Sequence, residues 1–313
     1  MEQPQAFPLV GICLCTYQGQ KFLAKQLDSL LSQTYPNFHV WVSDDGSTDD
    51  TLKILEEYRV RMGKGRFVIC RGPGKGFVAN FFSILCNEKM QADYYAFCDQ
   101  DDIWQPDKLK RSVDRLKSIS APALYGARTQ LVDEKEREIG LSPLFSKPLG
   151  FANALVQSYA GGNTMLMNRA AREVMCRVMA KADPLKIISH DWWSYIVISG
   201  VGGRVLYDPV PGLLYRQHVG NLIGSNVGIL DRLSRLRLLL KGRFKEWTDR
   251  HMELLLPFAD SLSPENRTLL DTFIKKRRTW FLPRIFWFAS GHVYRQTQAG
   301  YLGLLAAAIL KKV

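Results

Sequence analysis

Short apolar runs alternating with amphipathic stretches organise the first half of this chain. Val10 to Thr16 (VGICLCT) is apolar almost throughout, the pattern of a strand buried on both faces of a parallel sheet. Tyr17 to Gly19 turn the chain, and Phe22, Leu23, Leu27, Leu30 and Leu31 then recur with helical spacing before Pro36. Phe38 to Ser43 (FHVWVS) predicts a second strand ending in Asp44, Asp45, Gly46, Ser47, Thr48 and Asp49. Ser47 or Thr48 is a suitable N-cap for a helix through Leu52, Ile54 and Leu55. Phe67 to Cys70 predicts a short third strand, followed by the glycine-rich loop RGPGKGF and a helix from about Val78 to Lys89. Tyr94 to Cys98 (YYAFC) is a fourth strand, and an amphipathic helix from Lys108 to about Ile119 leads to a fifth, Ala123 to Ala127.

The second half is less regular. Leu131 to Pro148 is polar and contains proline, which predicts a hairpin or an excursion. Phe151 to Val156 reads as helical, and Gly161-Gly162-Asn163 breaks the chain before the apolar TMLM. His190-Asp191-Trp192-Trp193 opens a helix with Asp191 in its first turn, where the helix dipole favours a carboxylate. Val205 to Tyr207 and Gly212 to Tyr215 predict short strands leading into Arg216-Gln217-His218 and the loop VGNLIGS. The βα alternation predicts an α/β, doubly wound, mostly parallel sheet flanked by helices, with ligands at the carboxyl ends of its strands.

Both acidic clusters fall at such ends. After Cys98 come three carboxylates in four positions, Asp99, Asp101 and Asp102, which repel one another and raise the cost of keeping all three ionised. They suit either a solvated turn ahead of the helix that Pro106 begins, or an Asp-x-Asp site for Mg²⁺ or Mn²⁺ gripping a nucleoside diphosphate. Their place at a strand end favours the ligand. The loop GPGKG lacks the Lys-Ser/Thr ending of a P-loop, so by itself it reads as a flexible turn; beside a sugar-nucleotide pocket, Lys75 becomes a diphosphate contact.

Composition narrows the class. Hydrophobic residues make up 46% of 313, enough for a substantial core. The six cysteines lie mostly in apolar runs with no CxxC pair, which predicts reduced core thiols of a cytoplasmic protein and argues against a zinc site. The start reads as a strand after a short polar segment, without a signal peptide, and no run of about 18 apolar residues predicts a spanning helix.

Charge is uneven. Residues 226–313 hold 16 Lys and Arg against 7 Asp and Glu, so +9 of the net +12 lies there. The stretches LDRLSRLRLLLKGRFKEW, IKKRRTWFLPRIFWF and YLGLLAAAILKK read as basic amphipathic helices of interfacial composition. The expected division is a catalytic domain over 1–225 and a basic, membrane-associating helical appendage over 226–313, with the sheet able to fold without the distal part. An ordinary helical subdomain with a solvated basic face is the other reading. No recognition motif accompanies the charge, so nucleic acid is not an expected partner.

Five ordered stretches carry a resemblance over roughly residues 8 to 226: CTYQGQKFLAKQLDSLLSQTYPNFHVWVSDDGSTDDT, FCDQDDIWQPDKL, GGNTM, HDWW and YRQHVGNLIGS. Together they resemble the inverting family-2 glycosyltransferases of the GT-A fold, and within these the bacterial rhamnosyltransferase-like members. Gln18-Gly19 stands where Asn-Gly is commoner, and Gly162-Asn163 where Gly-Cys or a similar pair often occurs. The resemblance implies that Asp45 accepts a hydrogen bond from the nucleobase, with Tyr17 and the Thr16 backbone beside the base. It implies that Asp99 contacts the ribose, that Asp101 holds Mg²⁺ or Mn²⁺ with Asp102 in a supporting position, and that His218 closes over the diphosphate as a further metal ligand. Asp191 matches the catalytic base; Trp192 and Trp193 could wall the acceptor sugar, although two aromatics on a helix more often serve the core.

The resemblance implies a metal-dependent transferase. It would move a sugar, with L-rhamnose from its dTDP donor as the leading choice, to a cell-envelope glycan such as a lipopolysaccharide or O-antigen acceptor. It would work at the cytoplasmic face of the inner membrane. A UDP-sugar donor with the same fold is the near alternative. A non-catalytic glycan-binding protein would have no need of Asp45, Asp99, Asp101 and Asp191 together.

Overall fold

The computed structural model describes residues 7–218 and 242–313. The loop VGNLIGS, most of the first basic stretch and the expected boundary at 225/226 lie outside the described residues. In chain order the elements begin with β1 Val10–Thr16, α1 Leu23–Leu31, β2 Phe38–Asp44, α2 Thr51–Met62, β3 Phe67–Arg71, α3 Phe77–Leu85 and β4 Tyr94–Cys98. There follow β5 Ile103–Trp104, α4 Lys108–Leu116, β6 Ala123–Ala127, β7 Gln130–Val132, β8 Glu138–Leu141, α5 Phe151–Ala154, β9 Leu166–Asn168 and α6 Arg169–Met179. Next are α7 His190–Gly200, β10 Arg204–Asp208 and β11 Leu213–Arg216. Among the described residues four further helices follow: α8 Arg243–Leu255, α9 Pro264–Arg278, α10 Phe281–Ala289 and α11 Gln298–Ile309.

Seven strands form one sheet in the order β10-β6-β9-β4-β1-β2-β3. All of it is parallel except β9, which runs antiparallel between β4 and β6. This is the mostly parallel sheet expected from the alternation. The apolar TMLM supplies β9, whose three residues are too few to announce a strand by periodicity. A second sheet, β5-β11-β7-β8, draws on the excursion, the short strand before Arg216 and Ile103–Trp104, which the sequence did not mark as a strand. It brings the chain before His218 alongside the turn after β4, because β11 pairs antiparallel with β5 through Leu213–Trp104 and Leu214–Ile103.

The strand alternation sorts the core onto two faces. Val10, Ile12 and Leu14 face α1 and α4, packing with Leu27, Leu30, Leu109 and Val113. Cys13 and Cys15 point to the opposite face, with Phe81, Phe82, Trp193 and Ile196. That second cluster continues without a break into Met252, Leu255, Phe273, Trp287, Phe288 and Ala307. The C-terminal helices are therefore part of the main core. Polar contacts join them as well: Asn266 Nδ2 donates to the carbonyls of Ser199 and Gly200, and Asn153 Nδ2 donates to Tyr294 O at 2.8 Å.

Several local expectations shift by a few residues. The helix after β2 begins at Thr51, not behind Ser47 or Thr48; the Asp49 carboxylate accepts from the Thr51 amide and hydroxyl, while Ser47 turns back to Asp44. The helix after the glycine-rich loop stops at Leu85, and α4 stops at Leu116. Cys13, Cys15 and Cys98 are buried, the other three cysteines half-buried, and all six are free thiols.

Candidate active site

The carboxyl ends of β1, β2 and β4 meet at one edge. Thr16 Oγ1 donates to Asp44 Oδ1 at 2.8 Å, and the amides of Gly46 and Ser47 donate to Asp44 Oδ2. Asp44 is thus a buried turn-maker, and it throws the next residue, Asp45, outward. The Asp45 amide donates to the Thr16 carbonyl at 2.9 Å. Asp45 Oδ1 and Oδ2 accept from the amides of Gly74 and Gly76 at 2.6 and 3.0 Å. Both glycines sit at positive φ, 64° and 85°, where a side chain would be strained. The glycine-rich loop is consequently fastened to Asp45, with exposed Lys75 between its two contacts.

Beyond β1, the exposed Tyr17 is held by its backbone: its amide donates to Gln100 Oε1 and Gln100 Nε2 donates to its carbonyl, both at 2.9 Å. A Cβ at Gly19 would collide with Gln100 Oε1, so this pairing requires glycine there. Gln18 ties the same turn to the loop after β2. Its side-chain carbonyl accepts from the Thr48 and Asp49 amides, and its Nε2 donates to Thr48 Oγ1.

The turn after β4 divides its three carboxylates by environment. Asp102 is fully buried, accepting from Asn163 Nδ2 and from the Arg216 amide. Burial, then Asp101 and Asp99, push its carboxyl upward, against those two donors. Asp101 is partly open, and its Oδ2 is hydrogen-bonded to His218 Nε2 at 2.7 Å. Asp99 is pushed up to about 8 by burial first, then by the charges of Asp101 and Asp191. Arg216, itself buried, clamps the turn. Its Nε donates to the Asp101 carbonyl, its Nη1 to the Glu134 carbonyl, and its guanidinium lies 4.6 Å from the Phe22 ring centre.

Asp191 stands at the start of α7. Burial raises its carboxyl, opposed by the Ser189 side chain and the Trp192 amide. The Trp192 amide donates to Asp191 Oδ1 at 2.8 Å. Behind it His190 is stacked on Phe81 at 4.0 Å and edge-on to Phe97, with burial holding it down to about 3 and thus neutral. A Cβ at Gly162 would collide with the His190 ring, which is why this turn is glycine.

Trp192 and Trp193 do not wall an acceptor. They are 7% and 0% exposed, and both pack toward α8, where the His251 ring lies 4.6 Å from Trp192 and 6.1 Å from Trp193. Trp192 Nε1 donates to the Ala154 carbonyl at 2.7 Å. Spacing alone could not separate a helix face looking into a cleft from one looking into a core supplied by residues far along the chain.

Residues 11–174 match the family model for glycosyl transferase family 2. The chain belongs to this family. Over 243 residues, 72% of this chain and 78% of the relative, it is 27% identical to the dTDP-rhamnosyl transferase RfbG of Shigella flexneri. Residues 1–349 of S. aureus TarS, solved with UDP-GlcNAc, share the fold with TM-score 0.55 at 17% identity, over 96% of this chain and 90% of that one. The mannosyltransferase PcManGT of Pyrobaculum calidifontis, solved with GDP-Man and Mn²⁺, gives a TM-score of 0.52 at 15% identity, over 99% of this chain and 89% of that one. The GT-A fold expected from the sequence is the fold of this glycosyltransferase.

Within this glycosyltransferase the structure brings together Thr16, Tyr17 and Asp45 at one end of the edge, and Asp99, Asp101 and His218 at the other. Among the described residues no group of three or more His, Cys, Asp or Glu side chains forms a closed metal cage. The open pair Asp101–His218 nonetheless fits a hard divalent ion that takes one or two protein ligands and leaves its other positions to substrate phosphates. Asp99 is lifted by burial first, and the negative charge of Asp101 that adds to it fits the same ion. Sequence reasoning overlooked Gln18, Gln100, Asn163 and Arg216 as site residues. All four lie inside the five motif stretches, but their work is to bind other loops, and one sequence does not reveal which.

Proposed function

We propose that the chain transfers L-rhamnose from dTDP-L-rhamnose to a cell-envelope glycan, inverting the anomeric centre. The observation that carries it is the acidic edge at the carboxyl ends of β1, β2 and β4, where Asp45 fastens the glycine-rich loop and Asp101 is hydrogen-bonded to His218 at 2.7 Å. The identity to RfbG supports the choice of donor.

In this reading Asp45, Tyr17 and the Thr16 backbone bind the base, Asp99 the ribose and Lys75 the diphosphate. Asp101 and His218 would hold Mg²⁺ or Mn²⁺, which when bound stabilises charge on the leaving diphosphate. Asp191 takes the proton from the acceptor hydroxyl as that oxygen attacks, so it must reach the cleft ionised. His190, enclosed and held neutral by burial, packs on Phe81 beneath the first turn of α7. The acceptor is a glycan or lipid-linked glycan, met by peripheral contact with anionic lipid at the cytoplasmic face of the inner membrane. The +9 charge of residues 226–313 supports that contact.

A panel of nucleotide sugars in thermal shift, with and without Mn²⁺, tests the donor, since a ligand that binds only the native state raises its apparent stability. The expected result is stabilisation by dTDP-L-rhamnose that needs the metal. Stabilisation by a UDP-sugar alone would move the assignment to that donor class.

A further inference from the structure

Exposed large apolar side chains concentrate near the chain's end. Trp280 and Phe286 are 67% and 71% exposed, and Phe281 and Leu282 beside them are also exposed. They form the outer side of α10 and its approach. The inner side is firmly held: Trp287 and Phe288 are buried against Phe273, with ring centres 6.0 Å away in each case. Arg284 is buried and donates to the carbonyls of Ala308 and Thr279, both at 2.6 Å. The ridge is thus a fixed, outward-facing feature of a packed helix.

The basic residues next to it divide into two kinds. Arg277 is buried and donates to Asp249 at 2.6 Å, so it belongs to the interior. Lys275 and Arg278 are exposed and Lys276 half-exposed on the same last turn of α9. Elsewhere in these helices Lys245, Arg250 and Arg267 are matched by a carboxylate one helical turn away on their own helix. Placement at a helix C-terminus accounts for a cation or two. It does not account for the tryptophan and two phenylalanines that come close behind.

We infer that the last turn of α9 and the outer face of α10 form a headgroup-docking ridge for an anionic bilayer. Lys275, Lys276 and Arg278 would meet lipid phosphates, and Trp280, Phe281 and Phe286 would enter the interfacial layer. Trp is favoured at that depth, and a short amphipathic helix with a basic rim lies in the interface plane. Among the described residues no helix is long and apolar enough to cross a membrane. This deepens the membrane contact proposed above and rests on it.

The test is co-sedimentation of the full chain with phosphatidylcholine vesicles holding about one part in three phosphatidylglycerol, against pure phosphatidylcholine. The variants are K275Q/K276Q/R278Q and W280S/F286S, all at exposed or half-exposed positions. The charge variant should weaken binding at low salt on the order of 100-fold. The aromatic variant should lose the residual binding that survives high salt, because screening does not touch apolar insertion. Donor-induced thermal shift should be the same in all three proteins. If the parent binds and both variants bind equally well, the ridge is wrong while the membrane contact stands. If the parent ignores anionic vesicles at low salt, the contact and the ridge fall together. A concentration-dependent dimer abolished by W280S/F286S, without vesicle binding, would assign the ridge to a second copy of the chain and overturn the proposal.

Discussion

Asp191 is where chemistry and stability pull in opposite directions. Its carboxyl is raised by burial, so the folded protein binds its proton more tightly than the unfolded chain does. A raised acid costs stability once pH passes its unfolded value, and the cost is complete above its folded value. Asp191→Asn should therefore raise Tm at neutral pH, with the gain shrinking as pH falls. The same variant should lower transfer on the order of 10²-fold or more while donor binding persists. In the parent, activity should fall as pH drops through the raised value, because only the ionised form accepts a proton. Loss of donor binding in Asp191→Asn would give the residue a structural role instead. Asp101→Ala tests the other pole: thermal shift by donor should lose its Mn²⁺ dependence while Tm without ligand changes little, since Asp101 is partly open. Asp101 was read from the sequence as an acid at a strand end, and Asp191 from its place in the HDWW stretch of the resemblance. For Trp192 and Trp193 core was the commoner expectation, and only the partners from α8 decided it.

At the scale of elements, the turn after β4 is held by pieces from far along the chain. Arg216 from β11 and Asn163 from the Gly161–Thr164 turn meet the two acids Asp101 and Asp102. Arg216→Met should destabilise by about 1–3 kcal/mol, because the carbonyls of Asp101 and Glu134 lose their donor. Metal-dependent donor binding should weaken too, although neither Asp101 nor His218 is altered; urea denaturation and calorimetric titration measure the two effects. Gly162→Ala should be destabilising by roughly 1–3 kcal/mol, because its Cβ must displace the His190 ring or the turn. Combining it with His190→Ala should recover part of that loss, since the two changes share one contact. The glycines of the loop after β3 were visible in the sequence as glycines; that their amides belong to Asp45 was not.

For the whole molecule, the main departure is the status of the C-terminal helices. Composition suggested an appendage that the sheet does not need. Instead Trp192, Trp193, Met252, Leu255, Phe258, Phe273 and Phe288 share one buried cluster. Uncovering a side chain of this size costs about 1.5–3 kcal/mol, and several together approach the roughly 5–15 kcal/mol that holds a domain folded. A chain ending at Gly242 should lose cooperative urea unfolding and near-ultraviolet dichroism; a sharp, parent-like transition would show the helices to be dispensable.

By itself the sequence determined the βα order of the first four strands, the parallel sheet and the acids at its edge. Apolar period and turn chemistry are local properties, written within a few residues of where they act. Only the tertiary structure decided the antiparallel β9, the second sheet and the clamps on the acidic turn. It also decided which arginines of the basic region face inward and which tryptophans are core. Those outcomes depend on partners distant in the chain, as in Asn163 with Asp102 and Arg216 with Asp101. Solvent exposure belongs to such pairings and cannot be assigned to one residue type alone.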